Sequence, residues 1–574
     1  MLTDFKGLRK LSKKPSDGLP IKKLAILSDS STQFLRQAIK GHGFEKDLNL
    51  EIYEGAFNQM ELELLDDRSD LYAFKPDFIF LFFSAEKLLS EFLDLDPGDR
   101  KNWSQLHLDR IQQLLDLIRT KSKSNVMVSN CWMVEDAVFG NYGNKAISSW
   151  RFQSSLFNVE LMREAQSQNE LYVVDLEKVK STLGQTIFED DRLRVNGDIS
   201  VGLDALPQVA KVIVDMISAN SGKVKKCLVL DLDHTLWGGV IGDDGMEGIL
   251  LGESGIGREY CNIQRWAKAL KERGVLLAIC SKNDEEIAKE PFRQHPSMML
   301  RLEDITMFVA NWHNKADNIR TIKEALNIGY DSFVFIDDNP FERELVRTEL
   351  PDVSVPELPE DPAEYLSYIR SLNLFEASSY SQEDAKRTEM YQQEVKRVAV
   401  KSSFTDLNQY LRSLEMKAIV KPFTEKDIAR ISQLTQRSNQ FNLRTIRYSE
   451  SDISAMMSDK SYRTWSVFLQ DKFGEYGLIS LAIAKVQSKQ YFVDSWIMSC
   501  RVLKRGVELL LLDNIMKNAK EDGVEVVLGE YLKTKKNALV EDHYPKLGFT
   551  HSDQKWKFET SGFSTPTYFI EQVH

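Results

Sequence analysis

Cysteine is scarce in this chain: five residues in 574, Cys131, Cys227, Cys261, Cys280 and Cys500, with no C-x-x-C spacing among them. That pattern predicts neither a disulfide framework nor a structural zinc site, and it fits reduced thiols in the cytoplasm. Long apolar runs are missing too. No stretch approaches the roughly 18 residues of a membrane-spanning helix, and the start, MLTDFKGLRKLSKKPSDGLP, has no apolar signal core, so no membrane role is expected. Basic residues are outnumbered, 74 Lys and Arg against 86 Asp and Glu, for a net charge of −12 and a pI near 5.4. Without a basic face to neutralise phosphate backbones, a nucleic-acid partner is not expected. Repeats and low-complexity segments are absent. What remains is 42% hydrophobic content, enough over this length to bury several cores.

The most informative segment present is CLVLDLDHTLWGGV, Cys227 to Val240, which sets an apolar strand against Asp231, Asp233 and Thr235. A carboxylate just beyond a buried strand is held rigidly, so Asp231 can attack phosphorus while Asp233 protonates the leaving oxygen. Three further stations follow in order. The apolar run Val275 to Cys280 delivers Ser281, Lys282 and Asn283, which with the Thr235 hydroxyl are candidate phosphate ligands. Lys315 opens a helical stretch, NWHNKADNIRTIKEAL, where an ammonium can neutralise phosphate charge. The strand in SFVFIDDNPFERE ends at Asp337 and Asp338, two hard oxygen ligands that would complete a Mg²⁺ site with Asp231. Strands alternating with helices predict a parallel sheet with its ligands at the carboxyl ends of the strands.

The extended strings DLDHTLWGGVIGDDGMEGI and FIDDNPFERELVR resemble the haloacid dehalogenase (HAD) superfamily, and within it the FkbH-like proteins of subfamily IIIC. The resemblance implies Asp231 as nucleophile, Asp233 as acid/base, Ser281 and Lys315 as phosphate ligands, and Mg²⁺ among Asp231, Asp233, Asp337 and Asp338. His234 stands where the family usually has Asn; strand alternation would turn it away from the two aspartates. Fifty positions separate Asp231 from Ser281, room for one flap and one helix, so only a minimal cap is expected.

Before this core, residues 1–220 carry apolar strands in KLAILSDS, DFIFLFFS, NVMVSNCW and ELYVVDLE. They resemble an SGNH-type esterase domain with Ser30 in the place of its nucleophile, but Ser28 replaces the usual Gly, and neither a G-x-N-D nor a D-x-x-H follows. A serine without a base is a poor nucleophile, which predicts a degenerate domain. Residues 376–402, SSYSQEDAKRTEMYQQEVKRVAV within them, read as a solvated linker helix.

Residues 403–574 resemble a GNAT-like acyltransferase, in which a strand ends beside a helix whose amino terminus binds the phosphates or pantetheine of a thioester carrier. In RVLKRGVE, Arg505 and Gly506 are candidates for that cradle, and Glu508 departs from the usual Gly or Ala, which puts ordinary acetyl-CoA use in doubt. Asn439, Gln440 and Asn442 in SNQFNLRTIRY are candidates for the pantetheine amides, or else cap a helix end. Cys500, ending VDSWIMSC before Arg501, Lys504 and Arg505, is a candidate acyl carrier, because positive charge and a helix amino terminus favour thiolate. It is equally readable as a buried filler. Cys280 is the competing thiol, and His543 a candidate base. SCRVLKRGVE is similar to the FkbH-like signature, which implies glyceryl transfer from 1,3-bisphosphoglycerate to an acyl carrier protein. The whole chain thus reads as α/β with three domains: SGNH/flavodoxin-like over 1–220, a HAD Rossmann-like parallel sheet with minimal cap over 221–375, and, after the linker, GNAT-like α+β. Its partners are a small phosphorylated acyl donor and a carrier protein. Two other functions fit the same motifs: a phosphatase fused to an N-acyltransferase acting on an amine, and a phosphatase flanked by binding platforms.

Overall fold

The computed structural model describes residues 3–16, 18–380, 387–401, 404, 406–438, 440–534, 536–552 and 555–573, without the side chains of 395, 396, 398–401, 437 and 500. Among these residues the chain divides into two compact units, 1–218 and 219–574.

In the first unit five parallel strands, β1 (Ile21–Ser28), β2 (Asn49–Glu54), β3 (Phe78–Phe82), β4 (Asn125–Ser129) and β5 (Leu171–Val174), lie in the order β2-β1-β3-β4-β5. Helices cover such a sheet on both faces, which is why β3 reads Phe-Ile-Phe-Leu-Phe with every residue buried rather than alternating. Each of these buried large side chains contributes about 1.5–3 kcal/mol. Leu24 to Ser28 of β1 register with Phe78 to Phe82, so Ser28 sits at the carboxyl edge and Asp29 and Ser30 follow it.

The second unit contains two sheets. The smaller is parallel, β8-β7-β6-β9, built from β6 (Cys227–Leu230), β7 (Leu276–Ser281), β8 (Met307–Ala310) and β9 (Phe333–Ile336). All four residues of β6 and all six of β7 are buried. Between them lie a short flap, pinned by an antiparallel bridge from Gly238 to Leu250, and helix α1 (Gly255–Glu272). Helices α2 (Lys315–Leu326) and α3 (Pro340–Glu349) follow β8 and β9.

The larger sheet has eight strands, β10 (Met416–Lys421), β11 (Tyr462–Asp471), β12 (Gly474–Gln487), β13 (Gln490–Met498), β14 (Val526–Gly529), β15 (Thr550–Ser552), β16 (Lys555–Glu559) and β17 (Ile570–Gln572), ordered β15-β16-β14-β13-β12-β11-β10-β17. Strands β10 to β13 are antiparallel, whereas β13 pairs with β14 in parallel over Gln490 to Val493. Ile483 faces Ser495 and Ala484 faces Val493, which leaves Asp494 as the extra residue of a bulge.

The helix α4 (Arg387–Lys401) is no solvated linker. Tyr391 is buried in the core of the four-stranded sheet with Cys227 and Val229, and Gln392 donates to the carbonyls of Glu303 (3.0 Å) and Ile305 (2.9 Å). Its other side carries Arg397, which binds both oxygens of Asp471 at 2.7 Å, and Glu394, which binds Arg505 at 2.6 Å. Two of the charges that suggested a solvent face, Glu394 and Arg397, are buried in such pairs, whereas Glu389 stays exposed. Breaking one such pair costs about 3–5 kcal/mol, because the remaining charge is stranded.

Candidate active site

Three strand ends converge at the carboxyl edge of the four-stranded sheet. Asp231 follows β6 and donates its N–H to Ile336 O at 3.0 Å; Ser281 closes β7; Asp337 and Asp338 follow β9. Lys315, the first residue of α2, is drawn there by the Asn314 side chain, which caps the helix by accepting from Asp317 N. The Lys315 ammonium is buried between Asp231 Oδ1 (2.6 Å) and Asp337 Oδ2 (2.8 Å). Burial opposes its charge, but the two carboxylates outweigh burial and lift its pKa above the usual lysine range.

Asp231, Asp337 and Asp338 each offer an oxygen within 4.8 Å of the others. Burial first, and then the Asp231 charge, pushes the carboxyls of Asp337 and Asp338 upward. Three crowded carboxylates facing one ammonium leave negative charge uncompensated, and the donor set is all hard oxygen, so it fits a divalent cation such as Mg²⁺. Thr235 serves this group: its hydroxyl donates to Asp338 Oδ1 (3.3 Å) and accepts from Asp338 N (3.1 Å).

Asp233, expected among the cation ligands, stands outside that group. Its Oδ1 accepts from Trp237 Nε1 (2.9 Å) and Ile241 N (3.0 Å), and its Oδ2 from Asn283 Nδ2 (3.1 Å). These donors turn the carboxylate away from the three-carboxylate cluster. Burial raises its pKa against the Ile241 and Trp237 hydrogen bonds, and the Asp231 charge adds to the rise, which suits a proton donor. Asn283 therefore orients Asp233, and Lys282 pairs with Glu342 (2.5 Å). His234 is exposed in the left-handed region (φ 53°). Because β6 ends at Leu230, strand alternation does not set its direction. The left-handed turn does, and a short polar residue tolerates it. Trp237, Glu342 and Arg343, whose guanidinium donates to the carbonyls of Asp337 (2.9 Å) and Asp338 (2.6 Å), were not anticipated. The first lies four residues from Asp233 and the others within six of Asp337 and Asp338, a spacing the motif strings already contain.

Cys280 is fully buried, and burial pushes its thiol up to about 12 despite Lys315 nearby, so it stays protonated. In the C-terminal sheet, the Cys500 side chain and all of Asn439 lie outside the described atoms. The backbone places Cys500 at the start of a single 3₁₀ turn, Cys500–Val502, directly after Ser499. Lys504 (φ 62°) and Gly506 (φ 83°) take left-handed conformations before helix α5 (Val507–Glu521). Arg505 is engaged by Glu394 and by the Tyr476 hydroxyl, so it holds the loop to α4. Glu508 sits in the first turn of α5 with its carboxyl raised by burial. Gln440 is half-buried. Asn442 is buried, accepting from Thr445 N at 2.7 Å and donating to Ser438 O at 3.4 Å. His543 is caged edge-on by Phe441, Trp496 and Tyr544, and burial depresses its pKa to about 3, so it is neutral and enclosed.

Residues 23–218 match the family described as FkbH, N-terminal domain. The chain is 44% identical to the N-terminal part of the protein BF1531 from Bacteroides fragilis, a structure containing a phosphatase domain complexed with Mg; the match covers 66% of this chain and 100% of that one, with a TM-score of 0.63. Part of the chain also aligns with the ribosomal-protein-S18-alanine N-acetyltransferase of Escherichia coli, at 15% identity over 26% of this chain and 99% of that one with a TM-score of 0.21. Spermidine N-acetyltransferase of Vibrio cholerae aligns at 12% over 25% of this chain and 96% of that one, also at 0.21. No curated protein matches the chain. The strand-end carboxylates and the full-length match to the Bacteroides phosphatase-containing structure, together with the N-terminal match, lead to one conclusion: the chain belongs to the FkbH-like family.

Proposed function

We propose that this chain is a Mg²⁺-dependent phosphatase of the HAD type, coupled through its C-terminal sheet to transfer of an acyl group onto an acyl carrier protein in the cytoplasm. The observation that carries the phosphatase is Lys315 bridging Asp231 and Asp337 at the carboxyl edge of a parallel sheet, beside Asp338. Asp231, Asp337 and Asp338 would hold the cation, which supplies charge compensation for the phosphate. Asp231 attacks phosphorus to form an aspartyl-phosphate, and Asp233, steadied by Trp237, Ile241 and Asn283, hands its proton to the leaving oxygen. Thr235, Ser281, Lys282 and Asn283 lie along the same edge as candidate phosphate contacts. Lys315 neutralises charge as the phosphoryl group moves.

The donor is a small molecule with an acyl phosphate at one end and a phosphate monoester at the other, such as 1,3-bisphosphoglycerate. Cys500 captures its acyl group and a carrier thiol takes it over, with Asn439, Gln440, Asn442, Arg505 and Gly506 as candidate contacts for the carrier's pantetheine arm. The edge of β13 bears on where a pantetheine arm can lie. Beyond Val493, β13 parts from β14, and residues 441–443 lie along it: Leu443 N donates to Trp496 O (3.4 Å) and Met498 N to Phe441 O (3.1 Å). Leu532 N and the Asn537 amide close the far side. A pantetheine arm laid against this part of β13, whether of a carrier protein or of CoA, would have to displace a piece of the chain itself, so the arm is expected to enter elsewhere.

Mass spectrometry tests the reading. Incubated with 1,3-bisphosphoglycerate and no carrier, the protein gains a hydroxylamine-labile adduct on the Cys500 peptide. Cys500→Ala loses carrier loading and keeps Asp231-dependent phosphate release from a simple monoester. An adduct on Cys280, or undiminished loading by Cys500→Ala, moves the transfer site elsewhere.

A further inference from the structure

Arg501, Lys504 and Arg505 follow Cys500 in the chain, and the fold treats the three cations differently. Lys504 is exposed. Arg505, 6% exposed, is already balanced by Glu394 (2.6 Å) and Asp471 (3.6 Å), the same two carboxylates that hold Arg397. Two guanidiniums and two carboxylates close that network with no charge left over. Arg501, 7% exposed, stands outside it. It donates from Nε to Ser499 Oγ (3.2 Å), from Nη1 to Met390 Sδ (2.9 Å) and from Nη2 to Tyr476 O (3.3 Å), all neutral acceptors. Among the described residues no carboxylate reaches it.

A guanidinium is a permanent cation, and taking one out of water is costly unless an opposite charge meets it. Elsewhere the chain follows that rule: Arg343 meets Glu357 (2.8 Å), and Arg444 meets Asp494 (2.6 Å) and Glu530 (2.7 Å). The buried charge of Arg501 therefore calls for an anion from outside the fold. Its geometry can take one. Three of the five guanidinium N–H groups are engaged, which leaves one on each Nη for the oxygens of an oxyanion. Ser499 adds a hydroxyl, whose oxygen accepts from Arg501 and whose proton no described residue takes. The two flank Cys500 at its 3₁₀ turn, and Ser499 is only half-buried, so the pair reaches the surface there. The end of α5 is a poorer seat for an anion, because Glu508 already sets a carboxyl in its first turn. A fork of N–H groups also matches the paired oxygens of a phosphate better than a single thiolate sulfur.

We propose, resting on the function given above, that Arg501 and Ser499 form a subsite for the phosphate of an acyl phosphate and hold that leaving group beside Cys500. In balance, the Cys500 thiolate forms C–S with the acyl carbon as the C–O bond to the phosphate breaks. The bridging oxygen leaves with the electron pair and takes a proton from solvent, giving inorganic phosphate. Arg501 and the Ser499 hydroxyl meet the charge that gathers on that oxygen and its neighbours while the bond breaks. An acyl thioester has no phosphate on its acyl carbon, so this pair selects acyl phosphates over acyl-CoA as the source of the group.

Acetyl phosphate isolates this subsite, since it carries an acyl phosphate and no second phosphate. Wild type and Arg501→Met are each given acetyl phosphate and, separately, 1,3-bisphosphoglycerate, and acylation of the Cys500 peptide is timed by mass spectrometry. Alkylation of the same peptide by iodoacetamide is timed in parallel across pH. Arg501→Met should be acylated about a hundredfold more slowly by either donor, while alkylation and its pH midpoint stay within about threefold and a few tenths of a unit of wild type. Arg501→Lys, which keeps the charge and loses the fork, should regain about tenfold. Ser499→Ala removes a hydroxyl and no charge; it should raise the KM for acetyl phosphate about fivefold, and it decides the matter if Arg501→Met fails to fold. Inorganic phosphate should compete with acetyl phosphate in wild type. Acylation and alkylation falling together would make Arg501 a partner of the thiolate, overturning the phosphate subsite and leaving the function standing. Acylation unchanged in Arg501→Met and Ser499→Ala would do the same. If neither donor acylates wild-type Cys500, the proposed function falls, and this subsite with it.

Discussion

Two parallel sheets in this chain each place an aspartate just past the carboxyl end of a strand, Asp29 after β1 and Asp231 after β6, yet only one surrounds it with chemistry. Around Asp231 the neighbouring strand ends supply an ammonium, two further carboxylates and a hydroxyl. Around Asp29 the partners are structural. Its carboxylate accepts from Ser84 N at 3.0 and 3.1 Å, and Lys87 pairs with Asp198 at 2.7 Å. Ser30 is buried, its hydroxyl 3.2 Å from that of Ser28. Asn130 is engaged by Asp175 and by the amides of Leu176 and Glu177. No histidine hydrogen-bonds Ser30 among the described residues. His107 is stacked on Trp103 and enclosed by Phe83 and Phe157, its pKa depressed to about 3 by burial. A strand end offers rigidity; opposite charge and a titrating partner make it a site.

That contrast can be broken at several points. Asp231→Asn should lower phosphate release by about a thousandfold or more, since the nucleophile is removed while the sheet stays intact; steady-state phosphate assays with Mg²⁺ check it, and full activity in EDTA would reject the cation site. Lys315→Met strands two buried carboxylates, so it should cost about 3–5 kcal/mol in urea unfolding and reduce turnover about a hundredfold.

Asp29 offers a pH test of the other sheet. Burial raises its carboxyl from the ordinary 3.8 to about 7, against the Ser84 hydrogen bond. The folded state thus keeps a proton that the unfolded chain has lost, and stability present at low pH declines as pH rises to about 7, then levels. Asp29→Asn should remove that slope, a change on the order of a few kcal/mol between pH 4 and 7 in urea midpoints. The smallest effect belongs to Ser30→Ala: phosphatase and acyl-transfer rates within about threefold of wild type, roughly 0.65 kcal/mol in barrier. Loss of an esterase activity in that variant would show that the first sheet is a site after all.

The stations of the phosphatase were legible because each is local. An apolar strand followed at once by Asp231, Ser281 or Asp337 needs only short-range pattern, and the parallel topology that gathers strand ends follows from alternating strands and helices. What the long-range packing decided is which polar groups are already satisfied. Asp233 leaves the carboxylate cluster because Trp237, Ile241 and Asn283 donate to it. Arg505 holds Glu394 across 111 positions, a separation on which local pattern is silent. Helix α4 is held between two sheets because Tyr391 and Gln392 meet one while Glu394 and Arg397 find buried partners toward the other, and His543 is silenced by rings contributed from 441, 496 and 544. Period and composition report where a segment turns its apolar face. They carry no information on which distant donor reaches a given oxygen first, and that competition, settled only when the chain is packed, separates a binding residue from a structural one.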